Sequence, residues 1–67
     1  MFNLYDYEFK NIRLTDIDGK VWEGKSDAVT SANDNDDTEE SIAINTKEKP
    51  DVFIEFMKSE IKSIELA

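Results

Sequence analysis

The sequence Asp-Gly-Lys-Val-Trp-Glu-Gly at residues 18–24 decides the fold. Asp18 and Gly19 are typical of a tight turn, because glycine adopts the positive φ angles of a hairpin without steric cost. The residues after the turn have the composition of a strand, and Gly24 interrupts it two positions after Trp22. A glycine inside a strand usually marks a bulge, a bend or close approach of another backbone. The stretch therefore predicts a hairpin whose second strand bends at Gly24, where valine would fill the inside of the bend.

Alternation of apolar and polar residues predicts strands on both sides of this stretch. Ile12 and Leu14 alternate with polar residues before the turn, and Ile42 and Ile44 do so further along. The predicted strands cover residues 10–17, 21–32, 41–46, 52–57 and 61–66. Two sets of side chains are each predicted to share one face of a strand: Trp22, Gly24, Ser26 and Ala28 in the second, and Ile64 and Leu66 in the last.

The five predicted strands favour an all-β fold, a small, strongly bent, antiparallel SH3-like barrel in which the strand edges are hidden better than in a sandwich. The N-terminus is ambiguous, because Tyr5, Tyr7 and Phe9 alternate as in a strand, whereas Leu4 and Tyr7 fit one face of a helical turn. We expect a short helical turn at residues 3–6 that covers one end of the barrel.

The chain is predicted to form one domain over residues 1–67. A chain of this length buries a small core and usually needs a disulfide, a metal or an oligomer for stability. It contains no cysteine and no histidine, which excludes disulfides and ordinary zinc sites. Oligomerisation is the stabilising device that remains.

An acidic segment at residues 33–40 holds five of the 16 acidic residues of the chain. Its composition predicts a solvated loop. Asp34, Asp36 and Asp37 are the candidate binding residues in it, and calcium is the alternative to a plain loop. The spacing of an EF-hand is not met, since Glu39 stands at the glycine position and Asn45 at the final glutamate position.

Aromatic residues supply the other candidate site. Trp22 is the only tryptophan, and its position suits either a core residue at the barrel mouth or, with Tyr5 and Tyr7, a peptide-binding groove. Catalysis is not expected, because the usual neutral-pH base and the thiol nucleophile are both absent. Asp16 and Asp18 are interpreted as turn formers, and no cofactor is predicted.

The formal net charge of −8 restricts the partners. It disfavours nucleic acid and anionic membranes, whose phosphates repel an acidic surface. No stretch is apolar for long enough to span a bilayer, and residues 1–6 lack the features of a signal peptide. We therefore expect a cytoplasmic protein.

Residues 12–24 resemble the first half of the first Sm motif, in which alternating apolar residues and an Asp-Gly turn precede an aromatic-x-Gly sequence, here Trp22-Glu23-Gly24. Residues 54–64 are similar in rhythm to the second Sm motif. The resemblance implies an Sm-like (LSm-like) bent five-stranded barrel that assembles edge to edge through its fourth and fifth strands. The RNA-binding halves are not matched, since Met57 and Lys58 stand where the family has Arg-Gly.

These observations lead to one main expectation and two alternatives. The main one is a non-catalytic Sm-like binding or assembly module, homo-oligomeric through its edge strands, with a protein as a further possible partner. The second is an acidic decoy or inhibitor that binds a basic protein surface. The third is an RNA-binding Sm-like protein, which requires a basic patch that the sequence does not reveal.

Overall fold

Five antiparallel strands and two short 3₁₀ turns make up the computed structural model, which describes residues 3–31 and 39–67. The predicted all-β class, the five strands and the short N-terminal turn are confirmed. The second strand ends earlier than predicted, and the fourth strand begins later. The first strand is shorter than predicted at both ends. The elements in chain order are a 3₁₀ turn at Leu4–Tyr7, β1 at Asn11–Asp16, β2 at Val21–Thr30, β3 at Ser41–Thr46, β4 at Phe53–Met57, a second 3₁₀ turn at Lys58–Glu60, and β5 at Ile61–Leu66.

The strand order forces the sheet to curl. The strands lie in the order β4-β3-β2-β1-β5, so the last two strands of the chain occupy opposite edges. In a flat sheet these edges would be about 19 Å apart, which is four spacings of about 4.8 Å. The three residues Lys58–Glu60 that join them span only about 6 Å in a 3₁₀ conformation. The edges are therefore brought together, as in a small barrel.

Strand β2 is the element that the other strands share. Its first half pairs with β1 and its second half with β3, and Gly24 takes part in both ladders, opposite Ile12 and Thr46. A Cβ atom on Gly24 would collide with the backbone carbonyl oxygen of Asn45 and lie 2.8 Å from its carbonyl carbon. Glycine is thus required because β3 passes directly against it, and not only because the strand bends.

The alternation along β2 changes phase after Ser26. Trp22 is half-buried and Ser26 is buried, but Ala28 is exposed and Val29 is buried. The pairing of β2 with β3 shifts register between Ser26 and Val29. A bulge of this kind adds a residue to one strand and moves the following side chains to the opposite face. The prediction that Ala28 shares the face of Trp22 is therefore wrong.

The hydrophobic core draws on every strand and on the N-terminal turn. Trp22, Tyr7 and Ile54 pack against it and are half-buried. The buried apolar side chains are Leu4, Ile12, Leu14, Val29, Ile42, Ile44, Phe56, Ile61 and Ile64. Burial of a side chain of this size contributes about 1.5–3 kcal/mol, so this small set must stabilise the whole fold.

Strand β5 is also irregular. Ile61 and Ile64 are buried although they are three residues apart, because the pairing with β1 shifts between Thr15 and Asp16. Leu66, predicted to share the face of Ile64, is 57% exposed at the end of the strand. The register shift therefore breaks the period of two between Ile61 and Ile64, whereas Ile64 and Leu66 lie opposite Leu14 and Ile12 and share one face.

The N-terminal 3₁₀ turn packs against the hydrophobic core through Leu4, and its role as a cover over one end of the barrel stays a prediction. Asn3 caps the turn by accepting a hydrogen bond from the Tyr5 amide, and Leu4 is fully buried. This turn has four residues. Across residues 3–31 and 39–67, no helix has the length and apolar character needed to cross a membrane.

Candidate functional site

Trp22 lies between the core and the β1–β2 hairpin. Its ring meets Phe56 edge to face, with centroids 5.5 Å apart, and its indole N–H donates to Asp16 Oδ2 at 3.0 Å. A half-buried indole usually finds a hydrogen-bond partner of this kind. Lys20 Nζ lies 4.1 Å from the ring centroid, which is cation–π distance. The contacts of Trp22 thus account for its half-buried position between the core and the hairpin.

Asp16 organises the hairpin. Its Oδ1 accepts hydrogen bonds from the amides of Asp18 and Lys20, both at 2.9 Å, and its backbone C=O accepts from Gly19. Gly19 has φ of +87°, so residues 17–19 form a three-residue loop that ends in a residue of positive φ. The hydrogen bond from Trp22, followed by the two amides and the charge of Lys20, lowers the pKa of Asp16 despite partial desolvation. Asp16 acts as the turn former that the sequence predicts.

The backbone of Tyr7 contacts β2 at a different residue from Trp22. The carbonyl of Tyr7 accepts a hydrogen bond from Ser26 Oγ. Ser26 is four residues along β2 from Trp22, a separation of about 13 Å in a strand. Tyr7 is half-buried against the core and Tyr5 is exposed. The contacts of Tyr7 and Trp22 therefore lie at separate points along β2, and the grouping of Trp22, Tyr5 and Tyr7 in one groove stays a prediction.

The acidic candidates lie elsewhere in the chain. Asp34, Asp36 and Asp37 fall outside the described residues, so the prediction of a solvated or calcium-binding loop remains as it was. The described end of that segment contacts the second 3₁₀ turn. Glu39 accepts hydrogen bonds from the amide and hydroxyl of Ser59, at 2.6 and 3.0 Å, and Glu40 lies 3.8 Å from Lys58.

Arg13 on β1 is paired with two carboxylates. Arg13 lies opposite Glu23 on β2 and Glu65 on β5, and contacts both carboxylates, at 3.4 and 3.3 Å. Hydrogen bonding and attraction to Glu23, then to Glu65, raise its pKa above the ordinary value. These two carboxylates offset the positive charge of Arg13.

The outer edge of β4 has free backbone groups. The Lys58 amide donates to the Glu40 carbonyl at 2.9 Å, which extends the β3–β4 ladder. Amides alternate in direction along an antiparallel strand. Those of Phe56 and Ile54 therefore face β3, whereas those of Phe53, Glu55 and Met57 face outward. Glu60 accepts from the Met57 amide at 2.9 Å, which leaves the amides of Phe53 and Glu55 without a protein partner in the described part of the chain.

The outer edge of β5 is free in the same way. The Ala67 amide donates to the Asn11 carbonyl at 2.9 Å, so by alternation the amides of Glu65 and Ser63 face β1. Those of Ile64 and Leu66 face outward. Within residues 3–31 and 39–67 no ladder joins β4 to β5, so both edges of the sheet present donors and acceptors.

Phe9 has a backbone conformation that the sequence pattern does not predict. It has φ of +54° and is the one non-glycine residue with positive φ among those described. This conformation costs a residue with a side chain about 1–2 kcal/mol. Ser26 holds it from both sides, since Ser26 Oγ accepts from the Lys10 amide at 3.0 Å and donates to the Tyr7 carbonyl. Sequence patterns carry no signal for a phenylalanine in this conformation, since glycine and asparagine are the residues expected there.

The sequence matches no protein-family model, and neither a curated protein nor a solved structure matches the chain. The all-β fold of five antiparallel strands in one sheet therefore stands on the structure alone.

Proposed function

We propose that this protein is a non-catalytic Sm-like assembly module that joins copies of itself by pairing the outer edge of β4 with the outer edge of β5 of the next copy. The resemblance of residues 12–24 to the first Sm motif and the curled five-stranded sheet support the family. The free backbone edges are the observation that carries the mode of assembly.

The two free edges are suited to each other. An exposed, apolar edge strand is a template for pairing with another chain unless charges or proline block it. In β4 the only charged residue is Glu55, and Pro50 lies before the strand rather than in it. Strand β5 carries Lys62 and Glu65, but Glu65 is paired with Arg13, so Lys62 is the charge of β5 that can meet another chain. Opposite charges on the two edges favour pairing of β4 with β5 over pairing of β4 with itself.

The size of the core supports association. A 67-residue chain without cysteine or histidine cannot be stabilised by a disulfide or an ordinary zinc site. Pairing of edges in a ring removes the exposed edges of every copy. Assembly therefore adds buried surface that the isolated barrel does not have.

The mass of the native particle tests whether the protein assembles. Light scattering coupled to size-exclusion chromatography should give a multiple of the 7.7 kDa chain mass. A particle of one chain mass at every concentration up to the millimolar range would contradict the proposal.

Amide hydrogen exchange tests how it assembles. The outward amides of Glu55 and Ile64 should exchange more slowly as the protein concentration is raised, because they become hydrogen-bonded to the neighbouring copy. The inward amides of Phe56 and Glu65 are matched controls on the same strands, and assembly should change them much less. Equal dependence on concentration at all four amides would mean that the copies do not meet through these edges.

A further inference from the structure

The ring of Phe9 stands on the surface in a strained position. It is 61% exposed, does not belong to the buried core, and its backbone has the positive φ described above. Ser26 fixes the backbone around Phe9, because it is hydrogen-bonded to Tyr7 before it and to Lys10 after it. A phenylalanine at this position does little for the folded monomer, which points to a contact outside it.

A groove of ≈ 570 Å³ opens beside the Phe9 ring. Leu66, which is 57% exposed, forms a second apolar wall, and Lys10 and Lys25 supply positive charge. The residues that line this groove, called here the Phe9 groove, are Phe9, Lys10, Asn11, Lys25, Leu66 and Ala67.

Lys10 and Lys25 of the Phe9 groove form no ion pair within the described residues. Lys10 Nζ donates to the backbone carbonyl of Asp6 at 2.8 Å and not to a carboxylate. Lys25 makes no ion pair within the described residues, and no acidic side chain lines the groove. Arg13, by contrast, is held between two glutamates. An apolar groove with two unneutralised lysines fits an apolar side chain that has a carboxylate beside it.

The tip of the β1–β2 hairpin has this chemistry. Ile17 is 64% exposed, the highest value among the large apolar side chains of the described residues. Asp18 follows it, is exposed, and its carboxylate accepts no hydrogen bond from the described residues. The tip is held rigidly, because the Ile17 amide donates to the Glu60 carbonyl at 3.1 Å and Asp16 closes the loop.

We propose that the Phe9 groove receives the hairpin tip of a second copy of this chain, with Ile17 between Phe9 and Leu66 and Asp18 against Lys10 and Lys25. This inference rests on the proposed assembly function but names a different contact. Ile17 is bonded to the connection between β4 and β5, whereas Leu66 is at the far end of β5. Copies joined in this way stack end to end, and edge pairing joins them side by side.

Because the tip and the groove are different surfaces, the contact is heterologous. This property gives a sharp test by sedimentation velocity. Ile17→Ser removes the apolar tip, and Phe9→Asn removes the groove wall while placing at residue 9 a side chain that tolerates positive φ. Each variant alone should lose the end-to-end association by about tenfold or more. An equimolar mixture should restore one contact per pair, since the intact groove of one variant accepts the intact tip of the other.

Folding defects are separated from docking by stability and by a control. Phe9→Asn should be at least as stable as the wild type, because it relieves the positive φ. Val21→Ser removes an exposed apolar side chain of β2 outside the groove and should leave the association unchanged. Wild-type association in both single variants, or no recovery in the mixture, would overturn the proposal.

The charge pair offers an independent test. Lys25→Asp and Asp18→Lys should each weaken the end-to-end contact, and a mixture of the two variants should recover most of it, since each groove then meets a tip of opposite charge. The double variant, in which both charges are reversed, should recover most of it. Failure of the double variant to recover would contradict the placement of Asp18 against Lys25.

Each of the two assembly proposals can be overturned without the other. Protection of the Glu55 and Ile64 amides with unchanged association of the Ile17 and Phe9 variants would overturn the end-to-end contact alone. Loss of association in these variants without that protection would overturn edge pairing alone. Binding of single-stranded oligouridine or of an acidic peptide to a monomeric protein at the Phe9 groove, seen by chemical-shift changes, would overturn the second copy as its occupant.

Discussion

The two glycines of the chain lie five residues apart and are required for opposite reasons. Gly19 has φ of +87°, and a Cβ atom added there would meet no atom within 4 Å. Gly24 has no positive φ, but its added Cβ would collide with the backbone of Asn45 and lie 3.0 Å from Thr46 Cα. The turn needs a torsion angle and the shared strand needs space. A side chain that suits one position should therefore fail at the other.

The largest effect is expected from Gly24→Ala. The colliding atoms belong to the backbone of β3, so they cannot move aside as a flexible side chain would. Overpacking typically costs about 1–3 kcal/mol and occasionally more, and a clash with backbone should lie at the upper end of that range. The total stability of a domain of this size is about 3–10 kcal/mol. Urea denaturation followed by circular dichroism should find the variant largely unfolded or close to it. A loss no greater than that of Gly19→Ala would mean that β3 does not lie against Gly24.

Gly19→Ala should have a smaller effect. The space is open, so the cost is that of the positive φ, about 1–2 kcal/mol. Asparagine tolerates this conformation better than alanine, and Gly19→Asn should therefore regain part of the loss. Gly24→Asn is the matched control and should be no better than Gly24→Ala in the same urea titration. Recovery by asparagine at both positions would remove the distinction between the two glycines.

The contribution of the hairpin that contains Gly19 to the stability of the fold should also depend on pH. Hydrogen bonding from Trp22 lowers the folded-state pKa of Asp16, so its contribution is complete above its unfolded-state pKa of about 3.9. That contribution is lost as the pH falls through the folded-state value. The urea midpoint of the wild type should drop below about pH 4, and Asp16→Asn should be less stable at neutral pH and lose less on acidification.

Asp18→Asn is the control for this pH dependence, since the Asp18 carboxylate accepts no hydrogen bond in the described part of the chain. Its midpoint should follow that of the wild type across the acidic range. The assignment of the acid effect to Asp16 would be lost if Asp16→Asn kept the full wild-type dependence.

The smallest effect is expected from Arg13→Gln. Its two ion pairs are exposed, and exposed pairs contribute little because water and salt screen them. The loss should be below that of Gly19→Ala and should vanish in about 1 M sodium chloride. Lys47→Gln is the matched control, because it removes an exposed cation that has no ion pair within the described residues, and the stability of this variant should equal that of the wild type. A loss at Arg13 that persists in high salt would point to packing of its side chain instead.

The difference between the glycines also explains what could be predicted from the sequence. Asp18 and Gly19 specify a turn by local geometry, and the alternation around Ile12, Leu14 and Ile44 specifies strands. The bulge after Ser26 depends on how β2 meets β3, which no local pattern encodes. Ala28 was therefore placed on the wrong face. Leu66 shares the face of Ile64 as expected, but it is exposed because the strand ends there.

The candidate surfaces were less accessible to sequence reasoning than the fold. Trp22 was expected at the barrel mouth or in a groove, but its bond to Asp16 required the closed hairpin. Phe9 stands out because of its φ angle and exposure, and neither can be read from neighbouring residues. The free edges of β4 and β5 follow from the strand order, which the number of strands alone does not fix.

The central claim is that one residue, Gly24, pairs with both neighbours of β2, and that the backbone of β3 lies directly against it. Nuclear Overhauser effects in solution test it most directly. The claim predicts cross-strand contacts from the Gly24 backbone to both Ile12 on β1 and Thr46 on β3 in the same folded species. Contacts to Ile12 without contacts to Thr46 would contradict it, because β2 would then not join the two halves of the sheet at Gly24.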